Sequence, residues 1–196
     1  RFPDIPRRVS GYPLQELLPE NGFNVARALV GTECTCAVVL SAKMRLVHNP
    51  KHRVLAVLGY PDIYQAADHV PLVNAHKPIA LEGLDEGLID DMRLKRVELQ
   101  DIGLMPKGRA WLMVEFGADD KDQAVALARA CESDLRAHGL EDAVIFDDHE
   151  RQQQLKDLRE AGLGASTKRP GKPDNYEGWE DSAVHPDKLG GYLREL

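Results

Sequence analysis

The residues best suited to chemistry begin in a turn of small and hydroxylated side chains, Gly31-Thr32-Glu33-Cys34-Thr35-Cys36-Ala37, followed by Val38 and Val39. No bulky group shields this backbone, so its N–H groups can meet the phosphate or carbonyl oxygens of a ligand, although the simpler role is a tight turn ahead of a strand. Cys34 and Cys36 form a C-x-C that offers two thiolates to a metal. No second Cys or His pair with zinc-like spacing follows, so a metal site is not expected. A second group of polar candidates lies in the last third. Arg159 stands in a polar, helix-forming stretch, where its simplest role is an exposed basic residue answering the helix dipole. Lys168, Arg169 and Lys172 fall in a Gly- and Pro-rich loop over residues 164–180, and facing solvent is preferred over facing an anion. Arg7 and Arg8 read as a solvated basic pair.

These candidates need elements to position them. Val38, Leu40, Ala42, Met44 and Leu46 alternate with polar residues, which predicts a half-buried strand behind the turn. Pro3, Pro6, Pro13 and Pro19 interrupt the chain before it, and residues 24–29 predict a short helix. After a turn at His48-Asn49-Pro50-Lys51, strand and helix alternate. Residues 53–59 form an apolar strand. Pro61 opens a helix with Ile63, Ala66, Ala67 and Val70 on its inner face, and Pro71 is expected to end or kink it. A strand over 79–84 leads into a short helix that Asp85 caps, burying Leu88, Ile89 and Met92. The strand over 110–117 faces the core with Ala110, Leu112, Val114 and Phe116. The helix over 120–138 carries Ala124, Leu127, Ala128, Cys131 and Leu135 and stops at Gly139. A strand over 143–146 and a helix over 150–161 follow, the latter held by Leu155 and Leu158 and ended by Gly162. Pro186 opens a last helix through Leu189, Tyr192, Leu193 and Leu196. Two successive β-α-β units predict an α+β fold, an antiparallel ferredoxin-like sheet with helices on one face.

The 196 residues, 43% hydrophobic and 29% charged, have the composition of a globular protein with a substantial core. A net charge of -7 argues against a general nucleic-acid-binding role, which needs clustered Lys and Arg. No apolar run approaches the roughly 20 residues of a membrane span. Three cysteines form no disulfide framework, which points to a reducing, cytoplasmic setting. The missing initiator Met suggests a piece of a longer polypeptide.

The order G-T-E-C-T-C-A-V-V followed by an amphipathic strand resembles the G-S-E-G-T-L-G-V-V segment of FAD-linked oxidases of the vanillyl-alcohol oxidase (PCMH) type, which include D-lactate dehydrogenases and glycolate oxidase flavin subunits. Gly31, Glu33, Thr35, Val38 and Val39 match, Thr32 replaces Ser, and Cys34 and Ala37 stand where the family usually has glycine. Upstream, Ser10, Gly11, Tyr12 and Leu14 keep a basic-x-x-T-G-Y-D-L pattern from which Pro13 departs. L-G-Y-P-D-I-Y-Q-A-A-D-H-V-P and P-I-A-L-E-G-L-D resemble the opening of the family's C-terminal domain.

The resemblance implies that residues 1–50 are the end of an FAD-binding domain, with its backbone from Gly31 to Val39 along the FAD, and that residues 51–196 are the cap or substrate domain. It also implies that Arg159 reaches a substrate carboxylate, for which a planar guanidinium fork is suited. Related hydroxy-acid dehydrogenases tend to carry a lysine before a D-x-x-x-P, where this chain has Trp179 ahead of Asp181. The implied partners are a 2-hydroxy acid substrate and the remainder of the same polypeptide or an electron-acceptor subunit of iron-sulfur type.

Three readings compete. One is an internal fragment of an FAD-dependent oxidoreductase, inactive in isolation, that passes hydride from a D-lactate-like or glycolate-like substrate to flavin. The second is a non-catalytic ferredoxin-like module binding a small molecule or a protein. The third is a metal-binding protein built on Cys34, Cys36 and nearby histidines. The first is the expectation carried forward.

Overall fold

The computed structural model describes residues 5, 11–97, 101–167, 169–171, 173 and 183–196, the side chains of Leu163 and Thr167 excepted. These fall into two compact units: the residues up to His48 with 183–185, and the residues from Asn49 onward with the C-terminal segment from Pro186.

The first unit is built from turns. Two 3-10 segments, Leu14–Leu17 and Pro19–Asn21, lead to a four-residue helix, α1 (Val25–Ala28). Asn24 caps α1 by accepting the Arg27 N–H at 3.0 Å, which satisfies one of the free donors of a helix start. The strand expected over 38–46 does not form. That segment is irregular and exposed, with Leu40 at 94% and Leu46 at 90% exposure. Alternation says only which face a strand would bury. A strand exists by pairing its N–H and C=O groups with a neighbour, and this unit has no other strand among its described residues.

The second unit holds a four-stranded antiparallel sheet, β1 (His52–Tyr60), β2 (Ala80–Asp85), β3 (Ala110–Ala118) and β4 (Asp142–Phe146), in the order β2-β3-β1-β4. The register sets Val57 opposite Met113 on one side and Val144 on the other. Because β3 lies between β1 and β2, the first crossover skips a strand, as in a split β-α-β unit of ferredoxin-like type. Helices α2 (Ile63–Ala75), α3 (Glu86–Lys95) and α4 (Lys121–Ala137) start at Asp62, Asp85 and Asp120. Each Asp accepts the N–H three residues on, at 2.8 to 2.9 Å. Helices α5 (His149–Thr167) and α6 (Leu189–Glu195) complete the unit.

The crossover helices α2 and α4 cover one face of the sheet, as expected. Val54, Ala56, Leu58, Leu112, Val114 and Phe116 pack there against Ala66, Val73, Ala128 and Leu135. The other face is covered as well. Leu55, Val57, Trp111 and Met113 pack against Ile89 and Met92 of α3 and Leu155 and Leu158 of α5. Burial on both faces is why β1 reads as one apolar run and not as an alternation. Leu155 and Leu158 are fully buried, worth about 1.5–3 kcal/mol each, and they lock α5 onto the sheet.

Two expected helix ends and one expected helix face shift. Pro71 lies inside α2, which continues to Ala75 and buries Val73 completely. Leu127 points outward at 37% exposure, and the buried stripe of α4 is Ala124, Ala128, Cys131 and Leu135. Helix α5 does not stop at Gly162 but runs on to Thr167. A Cβ at Gly162 would come within 2.7 Å of Leu88 Cδ2 and 3.0 Å of its Cγ, so this glycine lets α5 and α3 approach closely and is not a stop signal.

Candidate functional site

In the first unit the predicted ligand turn is pinned from within. Thr32 is buried and its hydroxyl donates to the Leu29 carbonyl at 2.9 Å. Thr35 donates both its N–H, at 2.9 Å, and its hydroxyl, at 2.5 Å, to the Thr32 carbonyl, and the Tyr12 hydroxyl lies 2.6 Å from Thr35 Oγ1. These threonines hold the turn and have little left for a ligand. The backbone turns back on itself through left-handed residues: Gly31, Glu33 and Cys34 have φ of 81°, 50° and 59°. Cys34, which replaces a glycine of the resembled pattern, takes the backbone form that glycine adopts freely. Ala37 does not, since its φ is negative. Among the described residues, no hydrogen bond uses the N–H of Cys36, Ala37, Val38 or Val39. Those four donors remain open to solvent or a ligand.

A second polar cluster lies in the sheet unit, under α5. Glu82 and Glu115 share one face of neighbouring strands, because Ala80 pairs with Glu115 and Glu82 with Met113, and residues two apart point the same way. On α5, Gln152, Lys156, Arg159 and Glu160 are spaced i, i+4, i+7 and i+8, so they fall along one side of the helix. Glu115 is 4% exposed. Its Oε1 accepts from Arg53 at 2.5 Å and its Oε2 from Lys156 at 2.7 Å. Burial pushes the Glu115 carboxyl up, but the hydrogen bonds from Lys156 and Arg53 outweigh this and hold it below the usual carboxylate range. Arg53 is fixed further by Asn49 Oδ1 at 2.6 Å. Gln152 ties the start of α5 to the sheet through the carbonyls of Arg53 and Phe146, at 2.9 and 3.0 Å.

Arg159 is mid-helix, with eight more residues of α5 beyond it, so the helix-dipole account of its role fails. Its Nε forms an ion pair with Glu82. Its terminal nitrogens, which make the carboxylate-matching fork, donate no hydrogen bond among the described residues. Arg159, Glu82, Lys156 and Glu115 line a cleft of about 140 Å³ floored by Leu55 and Met113. The cleft therefore has fixed charges, an apolar floor and a half-exposed guanidinium aligned from one edge.

Arg169, expected in solvent, lies 3.7 Å from the buried carboxylate of Asp91. The candidates Arg7, Arg8, Ser10, Lys168, Lys172, Trp179 and Asp181 lie outside the described residues. Among the described residues no cluster of His, Cys, Asp or Glu could hold a metal ion, and no helix is long and apolar enough to cross a membrane. Glu82, Glu115 and Lys156 were not singled out from sequence. Their signals were a lone carboxylate in the otherwise apolar run of β3 and the helical spacing of Lys156 with Arg159.

Residues 49–196 match the family described as FAD linked oxidases, C-terminal domain. Over the whole chain the protein is 26% identical to D-2-hydroxyglutarate dehydrogenase of Pseudomonas putida and 24% identical to that of Pantoea ananatis, covering 20% of each. Over 76% of the chain it is 29% identical to the "Probable D-lactate dehydrogenase, mitochondrial" of Danio rerio, covering 29% of it. The chain thus spans about a fifth of the length of the D-2-hydroxyglutarate dehydrogenases that it matches.

Proposed function

Because this chain belongs to the FAD linked oxidases through their C-terminal domain, we propose that it is part of an FAD-dependent oxidoreductase acting on the CH–OH group of a 2-hydroxy acid. On this reading residues 1–50 are the end of the FAD-binding domain and residues 51–196 are the substrate-side cap. The rest of the polypeptide and an electron acceptor, of iron-sulfur or other type, complete the system. The carrying observation is an arginine on a cleft of the family's own domain, held at Nε by Glu82.

The turn in the first unit suits a flavin. Gly31 through Ala37 carry no bulky side chain, and the N–H groups from Cys36 to Val39 are uncommitted, which is what a backbone lying along a cofactor's oxygen-rich edge needs. Gly31, Thr32, Glu33, Cys34, Thr35, Cys36, Ala37, Val38 and Val39 would hold it, the two threonines by fixing the turn. FAD, when bound, supplies the two-electron acceptor for the substrate C–H bond. The protein's part is orientation: Arg159 would grip the substrate carboxylate through two parallel N–H···O bonds, Glu82 would set the plane of the guanidinium, and Leu55 and Met113 would limit water.

The test is Arg159→Lys in the complete enzyme, with Glu82→Ala beside it. Arg159→Lys keeps the charge but loses the fork, so kcat/KM for 2-hydroxy acids should fall at least tenfold, about 1.4 kcal/mol, while flavin content is unchanged. Glu82→Ala should raise KM more than it lowers kcat. If Arg159→Lys stays within about twofold of the parent, about 0.4 kcal/mol, Arg159 serves only to pair with Glu82.

A further inference from the structure

Thiol chemistry in this chain is confined to one place. Cys131 is fully buried on α4, where burial pushes its thiol up to about 11, and the thiolate is the reactive form. Cys34 and Cys36 are both exposed. They are separated by one residue, so their Cα atoms are at most about 7 Å apart in a fully extended chain. The chain bends at Thr35 and Cys36, and the limit set by one intervening residue lies close to the range of about 4.4–6.8 Å that a disulfide spans. The residue between them is clamped, with its N–H and hydroxyl on the Thr32 carbonyl and the Tyr12 hydroxyl on its Oγ1. Glu33 and Cys34 both hold left-handed φ values, 50° and 59°. Side-chain-bearing residues persist there only where the surroundings constrain them, and such positions gather at functional and switching sites.

We propose that Cys34 and Cys36 are a thiol–disulfide couple that closes reversibly by exchange with a small disulfide such as oxidised glutathione. The thiolate of one cysteine attacks a sulfur of the small disulfide, forming a mixed disulfide and releasing one small thiol. The second cysteine then attacks the protein sulfur of that mixed disulfide and expels the other small thiol. Two protein thiols are thereby oxidised by two electrons to one S–S bond, the small disulfide is reduced to two thiols, and both protons leave with them. A single intervening residue closes a small ring, and strained or exposed disulfides are the oxidising, easily reduced kind. The bond is therefore a reversible state of the turn and not a staple of the fold.

The experiment treats the complete enzyme, stripped of flavin, with excess oxidised glutathione and reads the masses and links of the peptides that hold Cys34, Cys36 and Cys131. The expected product is lighter by two hydrogens, carries no glutathione, maps its link to Cys34 and Cys36, leaves Cys131 unreacted, and is restored by dithiothreitol. Cys34→Ser and Cys36→Ser should each stop at the first step and retain one glutathione. A wild-type chain that retains glutathione, links to a second chain or stays unmodified overturns the proposal. The wild-type result decides by itself, so misfolding of a variant cannot rescue it.

Discussion

Glu115→Gln tests whether the charge cluster under α5 holds that helix to the sheet. The substitution preserves shape and removes the charge. It also turns one acceptor into an NH2 donor, and both oxygens are in use, Oε1 by Arg53 and Oε2 by Lys156. Whichever way the amide lies, one cation faces a donor and the other keeps only a neutral partner. A charge-assisted hydrogen bond contributes about 1.5–3 kcal/mol. The Arg53 and Lys156 side chains are 43% and 36% exposed, so water recovers part of the loss and the upper end is discounted. The expected destabilisation is about 2–3 kcal/mol, or about 5–10 °C in Tm for a chain of this size.

Urea titration followed by tryptophan fluorescence reads this directly, since Trp111 is buried on the same strand. The slope m should stay constant, so that the midpoint alone moves. The pH profile supplies an independent sign. Glu115 is held below its unfolded value, so its contribution is complete above that value and is lost as pH falls through the lower folded one. The wild-type advantage over Glu115→Gln should therefore shrink in acid. A difference below about 1 kcal/mol at neutral pH, typical of exposed pairs, would refute the reasoning.

Other outcomes follow from the same structure. Val38→Pro removes an N–H that no hydrogen bond uses at a residue with negative φ, so in the complete enzyme it should lower flavin occupancy and leave the fold intact; unchanged flavin absorbance at matched protein concentration would make the turn purely structural. Thr35→Pro is a poorer probe, because the Thr35 N–H already serves the Thr32 carbonyl. Gly59→Ala would drive a Cβ into the Lys107 carbonyl oxygen, a backbone atom with little room to yield, and should cost about 3 kcal/mol or abolish folding of the sheet unit, read by the same urea titration. His69 is held below its ordinary value by burial and by nearby His138, so its neutral form favours the folded state. Wild type should lose stability as pH falls below about 6.5, and His69→Gln should flatten that loss; parallel profiles would remove His69 from the account.

Much of the fold lies in local chemistry that a sequence displays directly. Asp85 announces a helix start because a short carboxylate satisfies a free N–H wherever it precedes an apolar stripe, and it caps α3 as expected; Asp62 and Asp120 cap α2 and α4 in the same way, and Pro61, expected to open α2, lies just before its cap. The apolar runs of β1 and β3 and the order of strands and helices identify the ferredoxin-like sheet, and words such as L-G-Y-P-D-I-Y carry the family. Pairing is another matter. The alternation over residues 38–46 is as regular as any in the chain, yet it is no strand here, because a strand needs a neighbour's backbone and periodicity does not say whether one is present. Gly162 looks like a helix stop and is a contact point, since only the packed structure brings Leu88 against it. The charge cluster shows the same division. Arg159 stood out from sequence, but Glu82 and Glu115, 77 and 44 residues earlier, meet it only because β2, β3 and β1 pair in one register and two buried leucines turn α5 so that Lys156 and Arg159 lie over that register.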